Sequence, residues 1–259
     1  MEDEKKNEYQ LFPIGFGSGL SAIPSNSWYM RIKKTLYLFD CPYTNVIHFC
    51  TPQGKKIFTG VDKIIVFITH LHEDHVGGLA NFSWLLENSI KKTCQVFVHT
   101  KLAMKLLNYL DILQFNDKAM TVSQGDYYQD DNIQLMCYQT AHTKEVSFGF
   151  VIYGKKTFMN ENGSNWNICY SGDSANFISD EMLQSFLSDP TDKLIYHDMT
   201  FKATNALHCY KDKITHSIPK NLRNQITPMH LDLIGDIKRA KTLGFNIPDD
   251  YFSYLEKKE

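Results

Sequence analysis

The residues best suited to chemistry lie in one short stretch, which reads Thr-His-Leu-His-Glu-Asp-His over residues 69–75. The apolar, β-branched run just before it predicts a buried strand. His70 and His72 lie two residues apart in extended chain, so their side chains project to the same side. Asp74 and His75 follow where the chain turns and can serve a second ion beside the first. Imidazole nitrogens and carboxylate oxygens suit zinc and its neighbours in the transition series, so this stretch predicts a metal site.

The alternative is that these side chains simply line a polar loop. A lone histidine usually does no more than that. Here, however, three histidines and two acids directly follow an apolar strand. Leaving such a cluster unpaired at a buried position would cost several kcal/mol, so the pattern favours metal binding.

The stretch also resembles the H-x-H-x-D-H signature of the metallo-β-lactamase fold, and Gly77-Gly78-Leu79 follows it as in that family. The resemblance implies an α/β protein, namely a four-layer αβ/βα sandwich with a binuclear metal site at one edge. It covers nearly the whole chain, because the family's later metal-binding elements follow in the expected order.

Three later residues match the remaining ligands of that family. His142 follows a predicted strand, Asp173 lies in Ser-Gly-Asp-Ser, and His230 ends the last predicted strand. The resemblance implies a first ion held by His70, His72, His142 and Asp173. It implies a second held by Asp74, His75, His230 and Asp173. We expect two divalent ions, with Zn²⁺ as the metal and Mn²⁺ as the alternative.

The segment 197–200, His-Asp-Met-Thr, resembles the H-E-A-T element of the RNase Z-like branch of this fold, with Asp198 in place of glutamate. In that branch the acid orients a second histidine over the substrate phosphate. His208 matches that histidine better than His216, which lies too close to the last ligand for the usual intervening helix. Aspartate is shorter than glutamate and the spacing is compressed, so the choice between the two histidines stays open.

The resemblance implies a phosphodiesterase mechanism with three catalytic residues, Asp74, His208 and Asp198. A hydroxide shared by the two metals attacks phosphorus while Asp74 holds or accepts its proton. His208, oriented by Asp198, contacts the phosphate and protonates the leaving alkoxide.

The elements before this stretch must also position the site. Strands predicted at 27–32 and 35–40 resemble the opening hairpin of the family, which ends in an acid near the metals. Asp40 matches that acid, and we expect it to orient a ligand histidine through its other ring nitrogen. The glycine-rich segment 15–19 indicates tight backbone geometry, either a strand followed by a turn or a loop that contacts a ligand. Asn162-Gly163 predicts the turn of an enlarged hairpin over 155–167.

Size and composition exclude several classes of protein. The 259 residues are 43% apolar and 22% charged, which is ordinary for a globular protein. We expect one domain over 1–259, with flexible tails at 1–9 and 254–259. The charged N-terminus is not a signal peptide, and no apolar stretch approaches the 18 residues of a membrane span, so we expect a cytoplasmic protein. The net charge of −2 argues against a protein-wide basic field that attracts long nucleic acids.

The substrate class follows from what the chain lacks as much as from what it carries. Processing enzymes for tRNA carry a Gly/Pro-rich arm, which this sequence lacks, and the acidic balance disfavours a large RNA. The short chain, the His-Asp-Met-Thr element and the His-Cys segment are similar to cyclic-nucleotide phosphodiesterases, among them the anti-Pycsar enzymes that counter anti-phage defence. We therefore predict a hydrolase of 3′,5′-cyclic nucleotides, and the resemblance implies a homodimer. An RNase Z-like RNA 3′ endonuclease, a hydrolase of another small phosphodiester and a non-catalytic metal-binding scaffold are the alternatives.

Overall fold

The computed structural model describes residues 9–155, 166–249 and 251, and within them twelve strands form two six-stranded sheets. The first sheet contains β1 Phe12–Gly15, β2 Ser27–Ile32, β3 Thr35–Phe39, β4 Lys63–Ile68, β5 Cys94–Val98 and β6 Met120–Gln124. The second contains β7 Tyr127–Gln129, β8 Ile133–Thr140, β9 Ser147–Gly154, β10 Ile168–Tyr170, β11 Leu194–Asp198 and β12 Ile226–Met229. In each sheet, strands that neighbour in the sequence also pair in space.

Helices connect the parallel strands, as parallel pairing requires, and a last helix follows β12. They are α1 Tyr43–Phe49, α2 Pro52–Lys55, α3 Glu73–Val76, α4 Leu79–Leu85, α5 Thr100–Ile112, α6 Asp180–Ser188, α7 Lys211–Ser217 and α8 Ile234–Thr242. Short 3₁₀ turns occur at Lys56–Phe58 and Lys220–Gln225, and a π turn extends α4 over Leu86–Ile90.

Strand direction decides where the functional residues meet. β3, β4, β5 and β6 are mutually parallel in the first sheet. In the second sheet β10, β11 and β12 are parallel, and β9 runs antiparallel to both β8 and β10. Because β8 therefore runs with β10, the carboxyl ends of four strands of this sheet lie at the same edge.

Alternating side chains of the central strands build two cores. Phe39 and Phe67 lie between the sheets, where Phe39 is 5.2 Å from Tyr170 and Phe67 is 5.9 Å from Phe150, measured between ring centroids. The residues that alternate with them, such as Leu38, pack instead against α1, α4 and α5. Helices α6, α7 and α8 pack against the second sheet. The order helix, sheet, sheet, helix agrees with the predicted four layers.

The pattern over residues 46–58 gives no clear prediction, and the structure places α1 and α2 there. A local signal for α2 is nevertheless present in the sequence. The Thr51 hydroxyl accepts a hydrogen bond of 3.0 Å from the Gly54 amide, and Pro52 occupies the first helical position. Both features are typical of a helix N-terminus.

Two predictions fall largely on residues that are not described. The hairpin turn at Asn162-Gly163 lies outside the described residues, and of the two predicted tails only Tyr9 lies within them. The Tyr9 hydroxyl accepts a hydrogen bond of 3.0 Å from the backbone amide of Lys155. Among the described residues, no helix is long and apolar enough to cross a membrane. That residues 1–259 form one domain stays a prediction.

Candidate metal centre

The candidate residues meet at one edge of the sandwich, because each follows the carboxyl end of a strand. Asp40 follows β3, residues 69–75 follow β4, His142 follows β8, Asp173 follows β10, Asp198 ends β11 and His230 follows β12. The five predicted histidine ligands and both predicted carboxylate ligands are thereby brought together from four chain segments.

The first group contains His70, His72, His142 and Asp173, whose potential ligand atoms all lie within 4.8 Å of one another. His142 Nε2 is 3.4 Å from Asp173 Oδ2 and 3.3 Å from His72 Nδ1. His70 Nε2 is 3.8 Å from Asp173 Oδ2. These four residues are the set predicted for the first ion.

The second group contains Asp74, His75 and His230, again within 4.8 Å. His230 Nε2 is 3.4 Å from Asp74 Oδ2 and 3.4 Å from Asp173 Oδ2. His75 Nε2 is 3.3 Å from Asp173 Oδ1. Asp173 therefore adjoins both groups, which is the position predicted for a carboxylate shared between two ions.

The unpaired atoms of this cluster fit a metal. His70 Nε2, His75 Nε2 and Asp173 Oδ1 are buried and have no hydrogen-bond partner. Burial lowers the pKa of His70 well below its ordinary value, so this imidazole is neutral, as a ligand must be. Burial alone would raise the pKa of Asp173, but the neighbouring His230 and His75 hold it well below its usual range. The surrounding carboxylates in turn raise the pKa of His75 well above its ordinary value and that of His230 to about 9, so a metal would displace a proton from each of these rings. Converging imidazole nitrogens and ionised carboxylates are the donors that zinc and its neighbours prefer.

One buried carboxylate orients a histidine in each group. His75 Nδ1 lies 2.8 Å from Asp40 Oδ2, so His75 donates to Asp40 and presents Nε2 to the site. Thr69 Oγ1 lies 2.9 and 3.0 Å from the two Asp40 oxygens and 3.0 Å from His70 Nδ1. Since the Thr69 hydroxyl has one proton and gives it to Asp40, it accepts from His70 Nδ1–H. Asp40 therefore has the orienting role predicted for it, and it reaches His70 through Thr69.

The third histidine of the first group is oriented from another loop. His142 Nδ1 lies 3.0 Å from the Leu207 carbonyl, to which it donates, and so Nε2 faces Asp173. Leu207 directly precedes His208, so the loop between β11 and α7 both carries His208 and fixes a predicted metal ligand.

The backbone at this edge adopts conformations that side chains rarely allow. Asp40 and His230 are non-glycine residues with φ of +62° and +58°. Gly172 has φ of +57°, and a Cβ there would lie 2.8 Å from the Thr69 side chain. Such strain concentrates at functional sites, where the surrounding structure holds it in place. At Gly172 it turns the chain from β10 so that Asp173 faces the site.

His208 and Asp198 form a hydrogen-bonded pair beside the two groups. His208 Nδ1 lies 2.7 Å from Asp198 Oδ2, which also accepts from the Ser174 amide at 2.9 Å. The His208 ring stacks on His230, with centroids 4.6 Å apart and planes at 21°. Burial alone would lower the pKa of His208, but Asp198 raises it above its ordinary value. His216, the other candidate, is exposed on α7. The geometry thus brings His208 to the site, and its role stays a prediction.

A cavity of about 820 Å³ opens over this cluster and is lined by His72, Asp74, His142, Asp173, His208 and His230. The glycine-rich segment between β1 and β2 forms part of its wall. A Cβ at Gly19 would lie 2.7 Å from Asp74 Oδ2, so a side chain at this position would displace the Asp74 carboxylate. The first sequence interpretation is confirmed, since β1 is followed by a turn, and this turn lies against Asp74. That it contacts a ligand stays a prediction.

The sequence interpretation did not identify several residues of the site. Thr69 was part of the central stretch, but its type alone does not indicate that it links Asp40 to His70. Lys202 and Asp232 line the cavity and form an ion pair of 2.9 Å. They lie thirty residues apart in loops without a motif, and no local pattern marks them.

The chain is similar to known proteins over most of its length. The model of a family described as "Anti-Pycsar protein Apyc1" matches residues 9–242. A relative with the same description, from Paenibacillus xerothermodurans, is 26% identical over 233 residues, covering 86% of this chain and 88% of the relative.

Two solved structures show the fold. Human tRNase Z, short form, superimposes with a TM-score of 0.60 at 17% identity, over 85% of this chain and 92% of that one. The metallo-β-lactamase fold protein YhfI from Bacillus subtilis superimposes with a TM-score of 0.60 at 16% identity, over 90% and 91%. The predicted metallo-β-lactamase fold is confirmed.

Proposed function

The chain belongs to the anti-Pycsar Apyc1 family, and from this premise we propose that it is a metal-dependent phosphodiesterase that hydrolyses small 3′,5′-cyclic nucleotides. The observation that carries the proposal is the arrangement in one cavity. Two groups of metal-ligand residues adjoin Asp173, and the hydrogen-bonded pair His208–Asp198 lies beside them.

His70, His72, His142 and Asp173 would hold one divalent ion, and Asp74, His75, His230 and Asp173 the other. Zn²⁺ is the proposed metal and Mn²⁺ the alternative. Bound there, such ions would supply Lewis acidity toward a phosphoryl oxygen and lower the pKa of a water toward about 7. Two divalent ions exceed the charge of two carboxylates, so the loaded cavity would attract an anion.

The side chains that face the cavity account for the proton movements of hydrolysis. Water adds to phosphorus, one ester P–O bond of the cyclic phosphate breaks, and the released alkoxide must gain a proton. Asp74 faces the cavity and is the proposed acceptor of the water's proton. His208, held by Asp198 through Nδ1, is the proposed donor to the alkoxide through Nε2. Asp198 is buried and acts by holding the ring.

A small substrate is the better fit to this chain. The net charge is −2, whereas long nucleic acids are bound through many cationic phosphate contacts. The cyclic-nucleotide substrate is proposed from the resemblance of the sequence to the anti-Pycsar enzymes, whose family model matches this chain. That the enzyme acts as a homodimer stays a prediction from the sequence resemblance.

Hydrolysis of a defined panel by metal-loaded protein tests the proposal, with Asp74→Ala as the inactive control. The panel contains 3′,5′-cyclic AMP, CMP, GMP and UMP, a 2′,3′-cyclic nucleotide and a precursor tRNA. We expect the 3′,5′-cyclic nucleotides to be opened by the wild type and to persist with the control. Cleavage of the tRNA alone would instead establish an RNA-processing enzyme. Metal binding without cleavage of any substrate would establish a scaffold.

Exchange of His208 separates catalysis from metal binding. We expect His208→Ala to lower kcat by about 10²–10⁴-fold, the usual contribution of a general acid, while metal content stays at the wild-type level. His216→Ala is the matched control, because it removes an exposed histidine from the neighbouring helix. Full activity of His208→Ala would exclude the assigned role.

A further inference from the structure

Lys202 is the single lysine or arginine among the described residues that line the cavity. It lies in the loop between β11 and α7, the loop that also carries His208. Its Nζ is 2.9 Å from Asp232 Oδ2, and its side chain is 57% exposed. Ion pairs of such exposed lysines contribute only about 0–1 kcal/mol, so the lysine can exchange this partner for another anion.

Asp232 holds the lysine at the mouth of the cavity. It follows His230 by two residues, so its carboxylate belongs to the wall next to a predicted metal ligand. Lys202 and the Ser18 hydroxyl both donate hydrogen bonds to this carboxylate. Without the lysine, an unneutralised carboxylate would face any anion that enters.

The Lys202–Asp232 ion pair could instead serve only to hold the loops together. Lys202, Asp232 and Ser18 belong to three different loops around the cavity, so their contacts tie these loops together. A structural ion pair and a substrate contact predict different results. A structural ion pair is lost equally when either Lys202 or Asp232 is replaced.

We propose that Lys202 is a specificity-determining residue that binds the phosphate of the substrate. It leaves Asp232 and pairs with a non-bridging oxygen of the anionic phosphodiester, and Asp232 positions it between turnovers. The substrate class is therefore one with an anionic phosphoryl group, recognised by a flexible cation in addition to the metals. The inference rests on the proposed phosphodiesterase function.

Opposite effects of two substitutions test this proposal. We expect Lys202→Met to raise KM for 3′,5′-cyclic AMP by about 10-fold, the weight of a charge-assisted hydrogen bond, with kcat within about twofold. Asp232→Asn should lower KM, since it frees the lysine and removes a negative charge that faces the substrate. Lys202→Arg should restore much of the affinity. Lys202→Met should also flatten the decline of kcat/KM with rising salt.

A matched pair of variants controls for loss of surface charge. Lys34 and Asp62 form an exposed ion pair of 3.1 Å between residues that do not line the cavity. Lys34→Met and Asp62→Asn should leave KM unchanged. Equal increases in KM for Lys202→Met and Asp232→Asn would show that the ion pair only holds the loops together, and would overturn the proposal. An unchanged KM for Lys202→Met would overturn it as well.

Binding of inorganic phosphate separates this inference from the proposed function. Calorimetric titration of the metal-loaded wild type and Lys202→Met needs no turnover, and the variant should bind phosphate about 10-fold more weakly. If the wild type opens no cyclic nucleotide but this difference persists, the proposed function fails and the role of Lys202 in binding phosphate stands. Equal phosphate affinity with intact hydrolysis would overturn the role of Lys202 alone.

Discussion

The two ends of the sandwich use buried polar groups in opposite ways. At the metal-site end, His70 Nε2, His75 Nε2, Asp173 Oδ1 and Asp198 Oδ1 are buried without a hydrogen-bond partner. At the other end, where β4 begins, Asp130 is also largely buried, but its oxygens accept many hydrogen bonds. Both ends contain acids, but the hydrogen bonds of those acids are satisfied at one end and incomplete at the other.

Asp130 shows what a structural carboxylate looks like in this fold. It accepts from the hydroxyl groups of Tyr37 and Tyr128 at 2.9 Å and from Lys63 Nζ at 3.3 Å. The backbone amides of Asn132 and Ile133 donate to it at 2.9 and 3.1 Å. These bonds join the start of β4, the middle of β3 and the turn between β7 and β8. The cluster is complete without a ligand.

This difference between unpaired and fully bonded polar atoms indicates how a ligand site can be recognised from geometry alone. A buried polar atom without a partner costs about 1–3 kcal/mol, so several of them converging on one cavity favour a site where a ligand supplies the missing bonds. Left-handed backbone at Asp40 and His230 accompanies the unpaired atoms. The Asp130 cluster has neither feature among the residues that bond to it.

The largest expected effect comes from Asp173, which adjoins both ligand groups. Asp173→Asn should abolish stoichiometric metal binding and lower kcat/KM by about 10³-fold or more, because metal ions contribute several kcal/mol of transition-state stabilisation. Metal should stabilise the wild type by about 2.7 kcal/mol at 100 times its Kd, and the variant should lose this gain. Elemental analysis and thermal unfolding with and without metal measure both effects. Retention of two bound ions would contradict the assignment.

Replacement of Asp130 should lower stability without affecting metal binding or activity. Asp130→Asn replaces an acceptor by an amide whose donors face other donors, so the free energy of unfolding should fall by about 1–3 kcal/mol. Activity and the metal-induced gain in stability should stay at the wild-type level. Urea unfolding and the cyclic-nucleotide assay measure the two. Asp62→Asn, an exposed partner of Lys34, is the control and should change stability by no more than about 0.5 kcal/mol.

The same substitution has a defined pH dependence. Burial would raise the pKa of Asp130, but the backbone amides and the tyrosine hydroxyls lower it below its ordinary value. A carboxylate with a lowered folded-state pKa contributes stability above its unfolded pKa of about 3.9 and loses it as the pH falls through the folded value. The stability difference between wild type and Asp130→Asn should thus be constant near neutrality and shrink below about pH 4. A constant difference down to pH 2 would show that the charge of Asp130 is not involved.

The smallest expected effects concern Asp40 and Thr69, which orient the candidate ligand histidines at the metal-site end. Asp40→Asn should weaken metal affinity by about 10–100-fold, as is usual for a group that orients ligands. Thr69→Val keeps the shape but removes the hydroxyl that links Asp40 to His70, so it should weaken affinity less, by about 10-fold. Thr69→Ser should restore it. Metal titration with a chelating indicator compares the variants, and equal affinities of Thr69→Val and wild type would remove Thr69 from this role.

Much of the fold and part of the site could be predicted from the sequence. The apolar run of β4, the hairpin of β2 and β3, and the histidine-rich stretch 69–75 depend on local spacing, which the sequence displays directly. Resemblance to a known fold extended the prediction to His142, Asp173 and His230. The short elements α1 and α2 were missed, because their few residues show too little periodicity.

The sequence by itself determined the ligand types, their spacing in the central stretch and the strands that carry them, since these depend on neighbours along the chain. Only the tertiary structure brought His208 and not His216 to the cavity, joined Thr69 to Asp40, and placed Lys202 against Asp232. These contacts connect residues that strand direction and the packing of two sheets bring to one edge. No local pattern records them, because two sequences with the same periodicity can pack different side chains across the same distance.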